Sequence, residues 1–477
     1  MSKKENKDEL LQLIRQRSPM SAGQQLRLVL QLSTPAILAQ LTTTIMQYID
    51  ASMVGSLGAV ASASIGLIES TMWLLGSICS ASAAGFYVQV SHRLGAGDAR
   101  SARDVVRQGI TSVLLVSLLI ALVSLSVSPF LPHWLGGGDD ICALSSRYFA
   151  IVVMGMPVFQ FSMFGSGMLR SSGNMVVPSV MSVVMMTLDV VFNFFLIYPS
   201  RVLHVLGADL FVPGAGLGVT GAAFGTVAAE LVAASLTMYF LCCRSRELHL
   251  SQEKGSFRPT AETVRRALHI GAPMGLQQLI MSSAYIVMTI IIAPLGTFAI
   301  AANSFGIIVE SLCYMPGYGI ADAATTLVGQ SKGAGRPRLM RSFAYMAVAL
   351  GVTVMAVMGV VMYCCAPLAM QMMTPVEEVR ALGVEVLRIE AFAEPMFAAA
   401  IVSYGVFVGA ASTLVPSAMN LVSMWGVRIT LAALLAPSMG LRGVWLAMCL
   451  ELCFRGAIFL VRLRWGKWQG MEISPKK

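Results

Sequence analysis

The stretch Pro35-Ala36-Ile37-Leu38-Ala39-Gln40-Leu41-Thr42-Thr43-Thr44-Ile45-Met46-Gln47-Tyr48-Ile49-Asp50 decides how this chain is read. It sits in an apolar block, residues 28–54. A helix needs about 20 such residues to cross a bilayer. Yet Gln40, Thr43, Gln47 and Asp50 recur at helical spacing and form one polar stripe. A charge at that depth costs roughly 2.5–3.5 kcal/mol on insertion scales, so the stripe must meet a cavity or other helices.

Twelve blocks of this kind follow one another, at roughly 28–54, 59–90, 109–131, 148–169, 177–198, 219–243, 270–293, 298–327, 343–365, 387–408, 416–435 and 443–461. The whole chain of 477 residues is 56% hydrophobic and 12% charged, against about 25% charged in a soluble domain. That excludes a disordered chain, a coiled coil and an ordinary soluble enzyme. An all-α polytopic membrane protein with twelve transmembrane helices is expected.

The net charge of +9 would point to nucleic acid in a soluble protein. Here Lys and Arg lie between the blocks. With the N-terminus inside, 26 of them fall on inside segments and five on outside segments. That asymmetry predicts both termini in the cytoplasm, with the chain resident in the inner (plasma) membrane. The partners expected are a bilayer and a small molecule, with no nucleic acid and a monomeric state. Residues 1–27 lack an apolar segment of the kind that leads a cleaved signal peptide.

The two halves match at an offset of 238 residues. Pro35, Pro129, Pro157, Pro178 and Pro199 recur as Pro273, Pro367, Pro395, Pro416 and Pro437. Gly95-Ala96-Gly97 recurs as Gly333-Ala334-Gly335, and Arg100 and Arg103 as Arg338 and Arg341. The register breaks only after Pro199, where an outside loop at 200–216 reads as an insertion. The predicted organisation is a cytoplasmic segment 1–27, a first six-helix lobe 28–243, a linker 244–269, a second lobe 270–461 and a tail 462–477. Halves with an even number of spans share one orientation and are related by an axis along the membrane normal.

Nine of the 24 acids fall within the blocks but only two of the 33 bases, Arg428 and Arg455. An acid-rich interior favours a cation as substrate, as coupling ion, or as both. Asp189 and Asn193 share a helix face, as do Thr226 and Glu230. Glu451 and Arg455 are spaced for a structural ion pair. Glu390 reads as solvated near the outer interface. Asp322 follows Pro316, Gly317 and Gly319, which predicts a break in the eighth span. Glu69 sits on a face with Gly66, Trp73 and Gly76, and Glu310 on a face with Gly306 and Gly317. Cavity lining and helix packing are equal readings for both. The 32 methionines would suit a wall that accepts many shapes, or merely fill helix contacts.

Other chemistries lack their motifs. There is no P-loop, no His-Glu-x-x-His and no Cys-x-x-Cys among the nine cysteines. No metal site or cofactor is expected, and no catalytic residue. Gly95-Ala96-Gly97-Asp98 spells an intramembrane protease motif, but it lies among Arg93, Arg100 and Arg103 in a predicted cytoplasmic loop.

Pro35 with Ile49-Asp50-Ala51-Ser52-Met53-Val54-Gly55-Ser56-Leu57-Gly58 resembles the first span of the multidrug and toxic compound extrusion (MATE) family. Gly95-Ala96-Gly97-Asp98, Leu327-Val328-Gly329-Gln330 and Gly221-Ala222-Ala223 with Thr226 extend the resemblance. It implies two six-helix lobes in a V and export by alternating access, coupled to H+ or Na+. It also implies an ion site at Asp50, Asp189, Asn193 and Thr226, with the Asp and Asn of the fifth span exchanged relative to archaeal-type members. Members of the other main branch carry a Glu in the seventh span. Residues 270–293 contain no acid, so the first-lobe site is the one expected to couple, and Glu394 lies about a turn from that branch's tenth-span acid. Substrate contacts are expected from Gln40, Gln47, Glu69 and Trp73 in the first lobe. Gln278, Glu310 and Glu394 are the candidates in the second. A lipid-linked oligosaccharide flippase of the same superfamily is the alternative, against which the scarcity of intramembrane bases argues. A non-transport membrane enzyme is the other.

Overall fold

The computed structural model describes residues 6–205 and 208–470. A short helix α1 (Lys7–Arg15) precedes α2 (Ala22–Gly55), α3 (Ala59–Gly95), α4 (Ala99–Val127) and the single turn α5 (Leu131–Trp134). Then come α6 (Asp139–Met154), α7 (Met156–Ser171) and α8 (Val176–Ile197). An antiparallel hairpin, β1 (Pro199–Val205) and β2 (Ala208–Ala215), leads into α9 (Gly218–Tyr239). The second half holds α10 (Ala261–Ile292), α11 (Thr297–Gly333), α12 (Pro337–Met373), α13 (Glu377–Glu390) and α14 (Glu394–Gly409). It closes with α15 (Leu414–Val422), a π-helical turn (Ser423–Ile429), α16 (Thr430–Met439) and α17 (Leu441–Trp465).

Among the described residues, ten helical segments are long and apolar enough to cross a membrane, and two bent pairs bring the number to twelve. The pairs α6–α7 and α13–α14 bend by 46° and 59°. Each bend falls beside a proline of the repeat, Pro157 or Pro395, whose missing N–H cannot continue the ladder. The bounds of α3 and α11, and of the two bent pairs, coincide under the offset of 238 found in the sequence.

The repeat sets the spans α2 to α9 as one lobe and α10 to α17 as the other. The lobes meet where α2 lies on α11 and α3 lies on α10 and α11. Contact is closest at the end that carries both chain termini. A Cβ at Gly95 would overlap the backbone of Gln330, and one at Gly333 would overlap the backbone of His92. These are mates under the repeat, so the seam is reciprocal. His92 Nε2 meets the Gly409 carbonyl at 2.7 Å, and Gln330 donates to the Ser171 carbonyl at 2.8 Å. Farther from the termini, α3 diverges: a Cβ at Gly66 or Gly76 would meet nothing within 4 Å. Tyr48 of α2 still reaches the Ile308 carbonyl of α11 at 2.8 Å.

Several expectations are corrected. Helix α11 runs unbroken through Pro316. Its glycines serve close packing: Gly319 presses on the backbone of Ile37 and Gly317 on Met355. Segment 200–216 is mostly the hairpin, anchored where the Arg201 guanidinium stacks on Tyr198 at 4.2 Å and on Phe194 at 4.7 Å. Glu390 is not solvated but 0% exposed. The span containing it begins at Glu377, well before the apolar block, and its bend turns Glu390 into the lobe.

The described residues near each terminus also pack into the core. Leu10, Leu11 and Ile14 of α1 are buried in one cluster with Met175 of the first lobe and Ala334, Leu339 and Trp468 of the second half. Arg15 pairs with Glu247 at 2.6 Å, and Arg336 donates to the Leu13 carbonyl at 3.1 Å. The segment after α9 folds back on α4: Arg107 donates to the Leu250 carbonyl at 2.8 Å, and Arg103 pairs with Glu253 at 3.0 Å. The hydrogen bond from Arg103 holds the Glu253 carboxyl below its ordinary value.

Candidate functional site

In the first lobe, helical spacing on α8 places Asp189 and Asn193 on one face, turned toward α2 and α9. Asn193 Nδ2 donates to Asp189 Oδ2 at 3.1 Å and to Asp50 Oδ1 at 3.2 Å, so one amide links two carboxylates. Asp189 is 0% exposed and Asp50 is half-buried. Asp189 Oδ1 and Asn193 Oδ1 have no hydrogen-bond partner. Asp189 Oδ1, buried and unmatched in this cluster, is an acceptor that a proton or a small cation would satisfy. Gly225 lets α9 approach: a Cβ there would overlap the Asn193 side chain. Thr226 is the next residue and is half-buried. Glu230, one turn on, is buried.

A cavity of about 690 Å³ lies mainly against the second lobe. Its wall carries Tyr285, Tyr314, Tyr318 and Tyr404, with Met274, Met281, Met288 and Met448. Gln278 and Glu310 stand on this wall, as do Asp322, Arg428 and Arg455. Gln40 is off the wall but donates to Asp322 Oδ2 at 3.3 Å. Gln47, Glu69 and Trp73 are exposed and stand apart from the wall.

Glu394 begins α14 at the bend and is 0% exposed. All four carboxyl oxygens of Glu390 and Glu394 lack hydrogen-bond partners. Both acids are close enough to Glu310 to interact with it electrostatically. Nearby, Glu451 is fully satisfied: Arg455 at 2.7 Å, Arg428 at 2.9 Å and the Ser423 hydroxyl at 2.5 Å all bind it. The π-helical turn at Ser423–Ile429 supplies two of these three partners, which is why the spacing of Glu451 and Arg455 alone showed only half of the network. Among the described residues, no group of three or more His, Cys, Asp or Glu side chains is arranged to hold a metal ion.

The MatE family model matches residues 35–195 and again 273–434, one copy in each lobe. The chain belongs to the MatE family. It is a multi-pass membrane protein of two repeated lobes. Among MatE relatives, it is 23% identical to a probable multidrug resistance protein NorM of Thermotoga maritima, over 94% of each chain. It is 25% identical to the protein of that description from Idiomarina loihiensis, over 91% of this chain and 93% of that one. A solved structure described as the outward-facing conformation of a multidrug resistance MATE transporter has the same fold. It superposes with a TM-score of 0.86 at 19% identity, covering 96% of this chain and 98% of that one.

Proposed function

We propose that this MatE protein exports amphipathic, mainly cationic aromatic compounds in exchange for inward H+ or Na+. The observation that carries the coupling half is the first-lobe cluster. Asp50, Asp189 and Asn193 bring two carboxyls together with acceptors unmatched. A proton or a sodium ion arriving there changes the charge between the helices that must move. The aromatic, methionine-rich wall with Glu310 supports the substrate half.

The bias of Lys and Arg supports both termini lying in the cytoplasm. The seam at that end then makes this the state whose cavity faces outward. Glu451 holds Arg428 and Arg455, so the wall offers little free positive charge to a lipid pyrophosphate.

A second reading puts coupling in the other lobe, favoured by the unpartnered oxygens of Glu390 and Glu394. Transport in proteoliposomes under imposed proton or sodium gradients separates the two. On the first reading Asp50→Asn abolishes gradient-driven export and Glu390→Gln does not; the reverse pattern moves the coupling site to the second lobe. Gradient-independent export by the unsubstituted protein refutes both.

A further inference from the structure

Across the cavity floor the lobes share one ion pair. Arg170, at the end of α7, reaches Asp322 of α11 at 2.7 Å, and each side chain is 29% exposed. Both donors, Arg170 Nη1 and Gln40 Nε2, bind Oδ2 of the carboxylate, and Asp322 lines the cavity. Arg170 is held there by the backbone around it. Thr326 donates to the Arg170 carbonyl at 3.0 Å and Gln330 to the Ser171 carbonyl at 2.8 Å. All these bonds cross between lobes, so separating the lobes at the terminal end removes Arg170 from Asp322.

The pair has no mate in the repeat. The positions matching Asp322 and Arg170 are Ala84 and Val408. Among the described residues the seam's other side has no matching ion pair and closes through Gly333 packed on His92. Closure does not explain why this acid lines the cavity that Tyr87, Tyr318 and Tyr404 also line.

We infer that Asp322 is a substrate-cation-binding residue and that Arg170 is its built-in competitor. With the lobes apart at the terminal end, Asp322 is an unneutralised carboxylate among aromatic rings, suited to a lipophilic aromatic cation. As the lobes close, Arg170 returns to the same carboxylate, and the substrate gives up its counter-charge as the cavity turns toward the far side. The protein thus lowers its own affinity at the point of release. A ligand can shift this equilibrium only through its differential affinity for the two states, and Arg170 supplies that difference. The inference rests on the export reading above.

The test measures binding of tetraphenylphosphonium, and of an uncharged aromatic compound of similar size, to the purified full chain. Arg170→Gln should tighten cation binding about fivefold or more and leave the neutral compound unchanged. Asp322→Asn should weaken the cation by a similar factor. The double variant should behave as Asp322→Asn alone, because the competitor has nothing left to compete for. If Arg170→Gln does not fold, adding Asp322→Asn removes the orphaned acid, and Asp322→Asn against the unsubstituted chain still reads out charge selectivity. A plain structural lock predicts that both single variants shift both ligands in the same direction, which would overturn the inference. Unchanged cation affinity in both, with normal export, would also overturn it. Failure of the unsubstituted chain to bind or export any aromatic cation would overturn the export reading and this inference with it.

Discussion

Substituting Gly95 by alanine should bias the protein toward the state open at the terminal end. The nearest atoms to a Cβ at Gly95 are all backbone atoms of Gln330 in the opposite lobe. They cannot swing away as a side chain could, so one lobe must shift. Those three atoms lie in the opposite lobe, so the strain falls on the state in which the lobes touch. Overpacking of this kind costs about 1–3 kcal/mol. At about 1.4 kcal/mol per factor of ten, the ratio of closed to open falls roughly 5- to 150-fold. The readout is the inter-lobe distance between spin labels at Arg100→Cys and Arg338→Cys, both exposed positions and mates under the repeat. The exposed Cys243, Cys364 and Cys365 would first be replaced by serine. Gly333→Ala should act in the same direction through His92, and the double variant by less than the sum, because lobes already parted for one methyl accommodate the other. A distance distribution identical to that of the unsubstituted protein would refute the argument. So would loss of folded protein in its place, since strain was assigned to one state and not to the fold.

Three further outcomes are expected. Asp189→Asn should perturb ion dependence by itself and add little to Asp50→Asn in gradient-driven export, because Asn193 joins both carboxyls; full additivity would separate their roles. Glu394→Gln should change the range or rate of compounds exported while ion dependence persists, as followed across a pH and sodium series. Glu451→Ala should lower stability by about 3–5 kcal/mol, read from thermal unfolding in detergent, because it leaves Arg428 and Arg455 buried without their shared counter-charge; an unchanged transition would show that water reaches both guanidinium groups.

The offset repeat made the two lobes legible, because paired prolines and glycines mark bends and close approaches that both halves need. The i, i+4 spacing of Asp189 and Asn193 made their shared face legible too, and Asn193 bridges across to Asp50. What composition hid were contacts made by polar residues at span ends. Glu390 belongs to α13, whose charged face carries Arg380, Glu385 and Arg388 and breaks the apolar signal. Arg170 counted as a loop charge because it closes a span, although its long side chain reaches a helix of the other half. Glu69 and Trp73 share a helix face, as spacing indicated, but the cavity lies against the opposite lobe, and no property of α3 alone could place it there.

The nine residues of α1 add a kinetic asymmetry to the cycle. Parting the lobes at the terminal end must peel Leu10, Leu11 and Ile14 from at least one of them. Full burial of such a side chain is worth about 1.5–3 kcal/mol, so the helix weights the resting population toward closure. Its own unwinding and rewinding take on the order of a microsecond or less, whereas whole lobes rock in microseconds to milliseconds. The terminal helix therefore behaves as a thermostat setting and not as a brake: it fixes how long the protein dwells with its far side open, while the pace of the crossing belongs to the lobes.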